Sequence, residues 1–318
     1  MNIWTLGDAV VDLLPLSDMQ YQACAGGAPF NVAIGTARLN CQSGFLGRVG
    51  DDAFGQFLKE TLCTSRVSVQ CMQMDPHHRT STVVVSLNNN GEREFTFLTN
   101  PSADQFLTPD TLPDLSAGIL HFCSLALVAE ACRDTLTMAI GKIKQSGGLL
   151  SFDVNLREQM WSDKQKMRDS VHYFALQADI LKLSEEEWYW MADYHDFSRA
   201  LDFLKTLPAH LKVVTYGAQG AMVLWENMVI HFSGYTVDSI DTTGAGDAFL
   251  TGLLAYIASA GMPQSFEQLR DAITQASACG ALATTRKGAL TALPDSQTLD
   301  EFIRQHPLPD YEMKELSN

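Results

Sequence analysis

Residues 118–155 read GILHFCSLALVAEACRDTLTMAIGKIKQSGGLLSFDVN. GILHFCSL is a short apolar run. CRDTLTMAIGKIKQSG places its apolar residues at helical spacing and stops on glycines, and LLSFDVN is a second apolar run. Strand, helix and strand in that order form a βαβ unit, which implies parallel pairing under a covering helix. The same alternation extends both ways. Towards the start, Ile3–Leu6 reads as a buried strand and FNVAIGTARL (30–39) as a helix behind a glycine pair. SGFLGRVG (43–50) reads as one returning strand, and AFGQFLKETL (53–62) as a helix with Phe54, Phe57, Leu58 and Leu62 on one face. Towards the end, ADILKLS (178–184) and LKVVTYG (211–217) read as strands, and EEEWYWMA (185–192) and DFSRALDFLKTL (196–207) as helices. The expected class is α/β: a mostly parallel central sheet with helices on both faces. Ligands of such sheets sit beyond the carboxyl ends of the strands. Polar residues at those ends are therefore site candidates: Asp12, Asp153, Asn155, Ser184 and Asp241.

TSTVVVSLNNNGEREFTFL (80–98) breaks the alternation. Two β-rich runs around an Asn-Asn-Asn-Gly-Glu turn signal a hairpin. With strands near 11–15 and 21–23 it reads either as a small β lid or as a decorative sheet at the edge. Glu92, Arg93 and Glu94 are charges of the kind that guard an exposed strand edge.

The chain has 318 residues, 46% of them apolar, so it can close a large core. Lys plus Arg is 22 and Asp plus Glu is 37, a formal charge of −15. Such a chain is a poor ligand for nucleic acid or anionic membrane surfaces. Seven cysteines include no CxxC pair, which argues against a zinc ribbon or thioredoxin-type site. The first residues, MNIWTLGDAVVDLLP, lack a basic segment and carry Asp8 and Asp12, so they do not read as a signal peptide. No run is apolar enough for a membrane span. The expectation is an acidic cytoplasmic protein with reduced thiols.

The strongest local motif is SIDTTGAGDAFLTGLL (239–254). Asp241, Thr242 and Thr243 have the chemistry of helix caps, and an apolar helical pattern follows Gly244. A Gly-Ala-Gly turn at a helix mouth presents bare N–H groups with the positive end of the macrodipole behind them, which suits an anion. Asp247 falls in the first helical turn. Beside a bound phosphate a carboxylate is unfavourable unless it has a task, and the natural one is to accept the proton of an attacking hydroxyl. The plainer reading is a helix start stabilised by its own Asp. A second glycine pair, Gly26-Gly27, opens AlaProPheAsn (28–31), where Asn31 offers an amide in the first turns of a helix. That suits close contact with a polyhydroxyl ligand, or a tight turn and nothing more. Asp12 could accept from two neighbouring hydroxyls. There is no Gly-x4-Gly-Lys-[Ser/Thr], no Gly-x-Gly-x-x-Gly after the first strand and no HExxH. Trp188, Tyr189 and Trp190 read as core and rim of an amphipathic helix.

Taken together, the motifs at 26–33 and 241–247 resemble the two signatures of the PfkB (ribokinase-like) carbohydrate kinase family. The resemblance spans the chain through GD-x3-D, GRVGDD-x-FG, NGER, FDVN-x-R, LKLSEEE, DTTGAGDAF and KGA-x-TALP. Within the family it is most similar to bacterial fructokinases, and aminoimidazole riboside kinases share the last motif. The resemblance implies a three-layer ribokinase-like domain over 1–318, with a small β lid from segments near 11–24 and 80–98. It implies Asp247 as catalytic base, with Gly244, Ala245 and Gly246 as the anion hole. Asp12, Gly27, Asn31, Phe97 and Arg157 match sugar-site positions, Phe97 on the lid. Lys182, Ser184, Glu187, Thr215, Gly217, Gly220 and Ser277 match nucleotide-site positions, with Glu187 organising Mg²⁺ indirectly. Asp241, Thr243, Ala283, Arg286 and Gly288 match a site for a monovalent cation such as K⁺, the last three through carbonyls. Two positions depart from the common pattern: Ser184 and Ser277 stand where many members carry Asn.

The expected activity is ATP-dependent phosphorylation of D-fructose to D-fructose 6-phosphate, with sugar and ATP as ligands and a homodimer through the lid as a possible assembly. Rivals are a riboside kinase of the same fold, a non-catalytic sugar sensor and a nucleotide-dependent oxidoreductase. The intact Asp247 turn argues against the sensor, and the missing dinucleotide fingerprint against the oxidoreductase.

Overall fold

Apolar runs too short for helices become strands buried on both faces, and with a polar, exposed edge strand near the C-terminus they assemble, among the described residues, into a nine-stranded sheet. The computed structural model describes all residues except 18, 88–92, 116 and 317–318, and all side chains of these residues except 87 and 93–95. In the large sheet, β1 (Ile3–Leu6) lies between β4 (Ser43–Leu46) and β9 (Ile119–Cys123). Beyond β9 come β10 (Leu149–Asp153), β11 (Ile180–Ser184) and β12 (Leu211–Thr215), then β13 (Ala221–Trp225), β14 (Met228–Phe232) and β15 (Tyr311–Glu315). Strands from β4 to β12 run parallel, as the βαβ pattern requires. From β12 to β15 the pairing is antiparallel.

Residues alternate across this sheet with period two. In β9, Leu120 and Phe122 face one layer and Ile119 the other. The first layer is α3 (Glu130–Gln145), α4 (Lys164–Ala175), α5 (Glu185–Ala192) and α6 (Phe197–Thr206). Trp188 is fully buried there and donates its Nε1–H to Ala200 O at 2.9 Å, tying α5 to α6. The other layer is α1 (Ala28–Arg38), α7 (Ala245–Ala260) and α8 (Phe266–Thr284), with α9 (Ser296–Gln305) packed on α8 and α2 (Ala53–Thr64) sharing the same apolar cluster. Among the described residues no helix is long and apolar enough to cross a membrane, and all seven cysteines are free.

A four-stranded sheet in the order β3-β2-β7-β8 joins β2 (Val10–Ser17), β3 (Gln20–Gly26), β7 (Ser81–Leu87) and β8 (Arg93–Phe97). The hairpin is present as β7 and β8, and its turn, with Glu92, lies outside the described residues. Chain continuity links the two sheets, because β1 runs through Gly7 (φ +146°) into β2. Asp52 anchors the far side: it caps α2 at Gly55 N (2.9 Å) and also accepts from Thr80 N (2.9 Å) and Thr80 Oγ1 (2.8 Å), at the start of β7.

Three expectations need correction. SGFLGRVG is not one strand: the chain leaves the large sheet at Gly47, and β5 (Arg48–Gly50) pairs instead with β6 (Gln73–Asp75). A Cβ on Gly47 would meet the Phe45 ring at 2.3 Å and Gly7 O at 2.7 Å, so only glycine fits this crossing. On α2, Leu58 and Leu62 are buried but Phe57 is exposed, because Gly55 rather than Phe57 abuts the neighbouring chain. The helix expected at 30–39 starts at Ala28, with Gly27 (φ +107°) as its N-cap.

Helices α1 and α7 approach closely at Gly35. A Cβ there would lie 2.5 Å from Thr251 Oγ1 and 3.1 Å from Thr251 Cβ, which a rotamer change cannot relieve. Gly35→Ala gains about 1 kcal/mol of helix propensity, but overpacking against a stiff β-branched neighbour costs about 1–3 kcal/mol. The expected net result is a lower urea midpoint, and an unchanged or higher one would contradict this packing.

Candidate active site

The N-terminus of α7 lies beyond the carboxyl ends of the parallel strands. Its N-cap is Gly244 in the left-handed region (φ +76°), and no side chain caps it. A Cβ on Gly244 would strike Ala289 Cβ at 2.7 Å. The expected caps therefore do something else. Asp241 Oδ1 accepts from Thr243 N (3.0 Å) and Thr243 Oγ1 (2.6 Å), and Oδ2 accepts from Gly288 N (3.0 Å). With Ala245 N bonded to Thr242 O (3.2 Å) and Ala248 N to Gly244 O (2.8 Å), the Gly246 and Asp247 N–H groups are left to face outward from the helix mouth.

Asp247 is held from α1. Asn31 Nδ2 donates to Asp247 Oδ2 at 2.8 Å, joining residues 216 positions apart in sequence. Burial raises the Asp247 pKa, against the lowering effect of that hydrogen bond and of Lys182 and Arg157. Asn31 sits in the first turn of α1, whose N-cap Gly27 again has no side chain to offer. Two helix mouths thus meet at one carboxylate.

Below them lies an ion pair built across the sheet register. Asp153 on β10 stands beside Lys182 on β11, and Lys182 Nζ donates to its Oδ1 (3.0 Å) and Oδ2 (2.9 Å), both side chains buried. Burial lowers the Lys182 pKa, but Asp153, Glu187 and Asp247 outweigh it and hold it above the usual lysine value. Burial raises the Asp153 pKa as well, against the lowering effect of the Lys182 charge and hydrogen bond. A Cβ on Gly246 would sit 3.4 Å from Lys182 Nζ, which places this cation under the Gly-Ala-Gly turn. Ser184 and Glu187 form a reciprocal capping box at α5, and Glu187 Oε1 also accepts from Leu156 N at 2.7 Å. Asn155 has positive φ (+36°), and its carbonyl accepts from Ser124 Oγ at 3.0 Å. Arg157 is exposed, yet its charge lowers the pKa of both Asp8 and Asp247.

Reading the sequence alone left out Asp8, which follows β1 directly. With the first strand read as Ile3–Leu6, the rule that polar residues at strand ends are candidates already selects Asp8, the first acid of GD-x3-D, ahead of Asp12. Asp8 is buried; a Cβ on Gly27 would lie 2.6 Å from its carbonyl oxygen and 3.1 Å from its Oδ2. Burial and then Asp104 push its pKa up to about 7, with Arg157 lowering it and Asp247 raising it. Asp104 itself is raised by burial, and its Oδ1 is buried without a partner. Asp104 carried no local sequence signal. Asp12 is not at the end of the first strand but inside β2, and a Cβ on Gly26 would meet its Oδ2 at 2.6 Å. Register places Cys24, Asp12, Val83 and Phe97 in one row across the small sheet, on one face. Phe97 is half-buried.

A mainly apolar cavity of about 420 Å³ adjoins Ala245 and Gly246. Thr215, Gly217, Gly220 and Ser277 line it, as does Tyr235, which sequence reading missed. Ser277 Oγ and Tyr235 Oη are buried with no hydrogen-bond partner among the described residues. Near Asp241, Thr284 O accepts from Ile240 N (2.7 Å) and Asp241 N (3.1 Å). Of the three carbonyls expected to hold a cation, that of Gly288 already accepts from Ala292 N (3.2 Å) and Thr291 Oγ1 (3.1 Å). Ala283 lies in the last turn of α8, and Arg286 follows its C-cap Thr285.

A helix-mouth anion site, a carboxylate held beside it, an adjoining apolar cavity and an acidic wall define a phosphotransferase site on an α/β sheet. Residues 3–296 match the pfkB family of carbohydrate kinases, and the chain belongs to that family. It is 49% identical over 304 residues to a fructokinase of Klebsiella pneumoniae, covering 95% of this chain and 99% of that protein. The crystal structure of fructokinase from Vibrio cholerae O395 with fructose, ADP and calcium ion bound superposes with a TM-score of 0.90 at 46% identity, covering 95% of this chain and 98% of that one. Aminoimidazole riboside kinase from Salmonella enterica, complexed with aminoimidazole riboside and an ATP analogue, superposes with a TM-score of 0.88 at 34% identity, covering 95% and 99%.

The Asp8 carboxyl has a pKa of about 7 in the fold against an ordinary 3.8. Its contribution to stability is therefore full below the ordinary value and is lost as pH rises through about 7. Asp8→Asn cannot ionise, so it should gain about 2–3 kcal/mol on the parent between pH 5 and pH 8 in urea titrations. Parallel stability curves for the two proteins would refute the buried acid.

Proposed function

We propose that the chain is an ATP-dependent fructokinase that converts D-fructose to D-fructose 6-phosphate. The observation that carries this reading is Asp247, held by Asn31 at 2.8 Å beside the open N–H groups of the Gly-Ala-Gly turn. A primary hydroxyl of the sugar attacks the γ-phosphorus of ATP. The bond from that phosphorus to the β-γ bridging oxygen breaks, ADP leaves, and the hydroxyl proton passes to Asp247. Charge developing on the γ-phosphoryl oxygens is met by the Gly246 and Asp247 amides and the α7 dipole. Lys182 and Arg157 add positive charge nearby.

In this reading the adenosine enters the cavity between residues 215–220 and Ser277, where the Ser277 and Tyr235 hydroxyls await partners. Ser277 replaces an amide with a single hydroxyl, which leaves base recognition to fewer hydrogen bonds. Mg²⁺ bound with ATP supplies charge neutralisation. Glu187 already accepts from Ser184 N and Leu156 N, so it fits a role through water rather than as a direct ligand. Asp241, with the Ala283 and Arg286 carbonyls, would hold a monovalent cation. Thr243 supports Asp241, and the doubly occupied Gly288 carbonyl fits that role least.

A hexose rather than a riboside suits the acceptor side. Asp8 lies against Gly27 and Asp12 against Gly26, and the charge of Asp104 acts on Asp8; carboxylates in this acidic wall accept from hydroxyls on several faces of a sugar. The small sheet acts as a lid, with Phe97 and Asp12 on its inner face, closing over the sugar to exclude water. The same lid offers edge strands β3 and β8 through which two copies could pair. Free cysteines and the use of ATP suit the cytoplasm.

Asp247→Ala is expected to lower kcat by about 10²–10⁴-fold with a small change in fructose binding. A coupled assay of ADP release checks it, and near-normal turnover would remove Asp247 as the base. Because burial raises the Asp247 pKa, the acid limb of kcat/KM should lie above the ordinary carboxylate range, with activity falling as pH drops. In the same assay fructose should exceed aminoimidazole riboside in kcat/KM, and the reverse order would assign the riboside.

A further inference from the structure

Away from the candidate active site, a cavity of about 450 Å³ collects Arg38, Arg66 and Arg286. In a chain with 37 acidic and 22 basic residues, three guanidinium groups around one cavity are unexpected. Arg38 ends α1, Arg66 follows α2 and Arg286 follows α8, so one guanidinium per helix C-terminus has an ordinary electrostatic explanation. The bonds made differ from that explanation. Arg38 Nη1 donates to Leu290 O (2.7 Å) and Leu293 O (2.8 Å) in another segment, which fixes its guanidinium at the cavity wall. Among the described residues, neither Arg66 nor Arg286 has a side-chain hydrogen bond or an ion pair within 4.0 Å. Arg66 also has positive φ (+64°), a conformation that a non-glycine residue adopts at a cost.

The opposing acid is Asp295. Its Oδ1 already caps α9 through Thr298 N at 2.8 Å, and its pKa is lowered by that N–H and the Thr298 side chain, with Arg38 contributing. The cavity therefore gathers three guanidinium groups, Arg38 fixed at the wall and Arg66 and Arg286 exposed and free to turn towards a ligand, against one carboxylate that is already bonded.

We propose that this cavity is a second anion site, whose ligand is a small phosphate dianion. Guanidinium pairs recognise tetrahedral oxyanions through paired N–H donors. The volume exceeds what a free phosphate needs and matches that of sites that take small organic ligands, so a phosphate monoester is the better fit. The site has a structural route to the chemistry. Thr284 lines the nucleotide cavity, while Thr285 and Arg286, next in sequence, line this one. Arg38 lies at the other end of the helix that carries Asn31.

The test is calorimetric titration of the full chain with fructose and ADP saturating the candidate active site. The probes are inorganic phosphate and, separately, fructose 6-phosphate. Saturable uptake with a Kd near or below about 1 mM is expected, weakened about tenfold in Arg66→Asn, which keeps the left-handed backbone, and largely restored in Arg66→Lys. Turnover of Arg66→Asn in phosphate-free buffer should match the parent. Tighter uptake of fructose 6-phosphate assigns an ester as the ligand, and equal uptake assigns free phosphate. No saturable uptake of either probe up to about 10 mM, or a Kd unchanged in Arg66→Asn, overturns the site. Diffraction from crystals of the unmodified chain soaked in phosphate tests it without a variant: the anion must lie against Arg38 and Arg66, and density only elsewhere refutes it.

Discussion

One hydrogen bond, from Asn31 Nδ2 to Asp247 Oδ2 at 2.8 Å, closes the centre of this protein. It joins the first turns of α1 and α7. Each helix begins on a glycine with positive φ, at +107° for Gly27 and +76° for Gly244, so neither mouth is plugged by a capping side chain. Two positive dipole ends and their open amides therefore face one small volume. The close packing of Gly35 on Thr251 sets the spacing of the two helices. A slip of one turn between them would carry Asn31 about 5.4 Å from its partner, and the Asp247 carboxyl would lose both its orientation and part of the interaction that offsets its burial.

Around that bond the site divides its electrostatic tasks. In the proposed reading the phosphate side relies on main-chain N–H groups, the α7 dipole and one buried lysine. The acceptor side relies on carboxyls. That division suits the two ligands, since a nucleotide phosphate needs donors whereas a sugar hydroxyl can donate. In that reading an acidic chain can tolerate an anion at its centre because Lys182 is held between Asp153 and the Gly-Ala-Gly turn, and burial raises the pKa of Asp8 and of Asp104, which opposes the build-up of negative charge there. The arginine cavity repeats the donor arrangement at the opposite end of α1 with side chains in place of amides.

Much of this was legible before the structure. The βαβ rhythm of 118–155 predicted the parallel half of the sheet, because buried strands must be apolar throughout and helices must alternate by turn. The hairpin at 80–98 announced a second sheet, and the motif at 241–247 pointed to an anion at a helix mouth. The failures share one cause: each depended on what lay opposite a residue in space. SGFLGRVG reads as one strand until Gly7 crosses it at Gly47. Asp241 has the chemistry of a cap, but Gly288 N competes for it. Phe57 fits an apolar face that α2 does not bury.

Local sequence thus determined which segments are strands and helices, and which glycines permit bare helix mouths, because periodicity and backbone freedom are properties of neighbours in the chain. Tertiary structure alone decided that Asn31 meets Asp247, that Lys182 lies under Gly246, and that the half-buried Asp104 raises the pKa of the buried Asp8. Those pairings join residues far apart in sequence, and burial sets their charge states; neither distance nor desolvation exists until the chain has closed on itself.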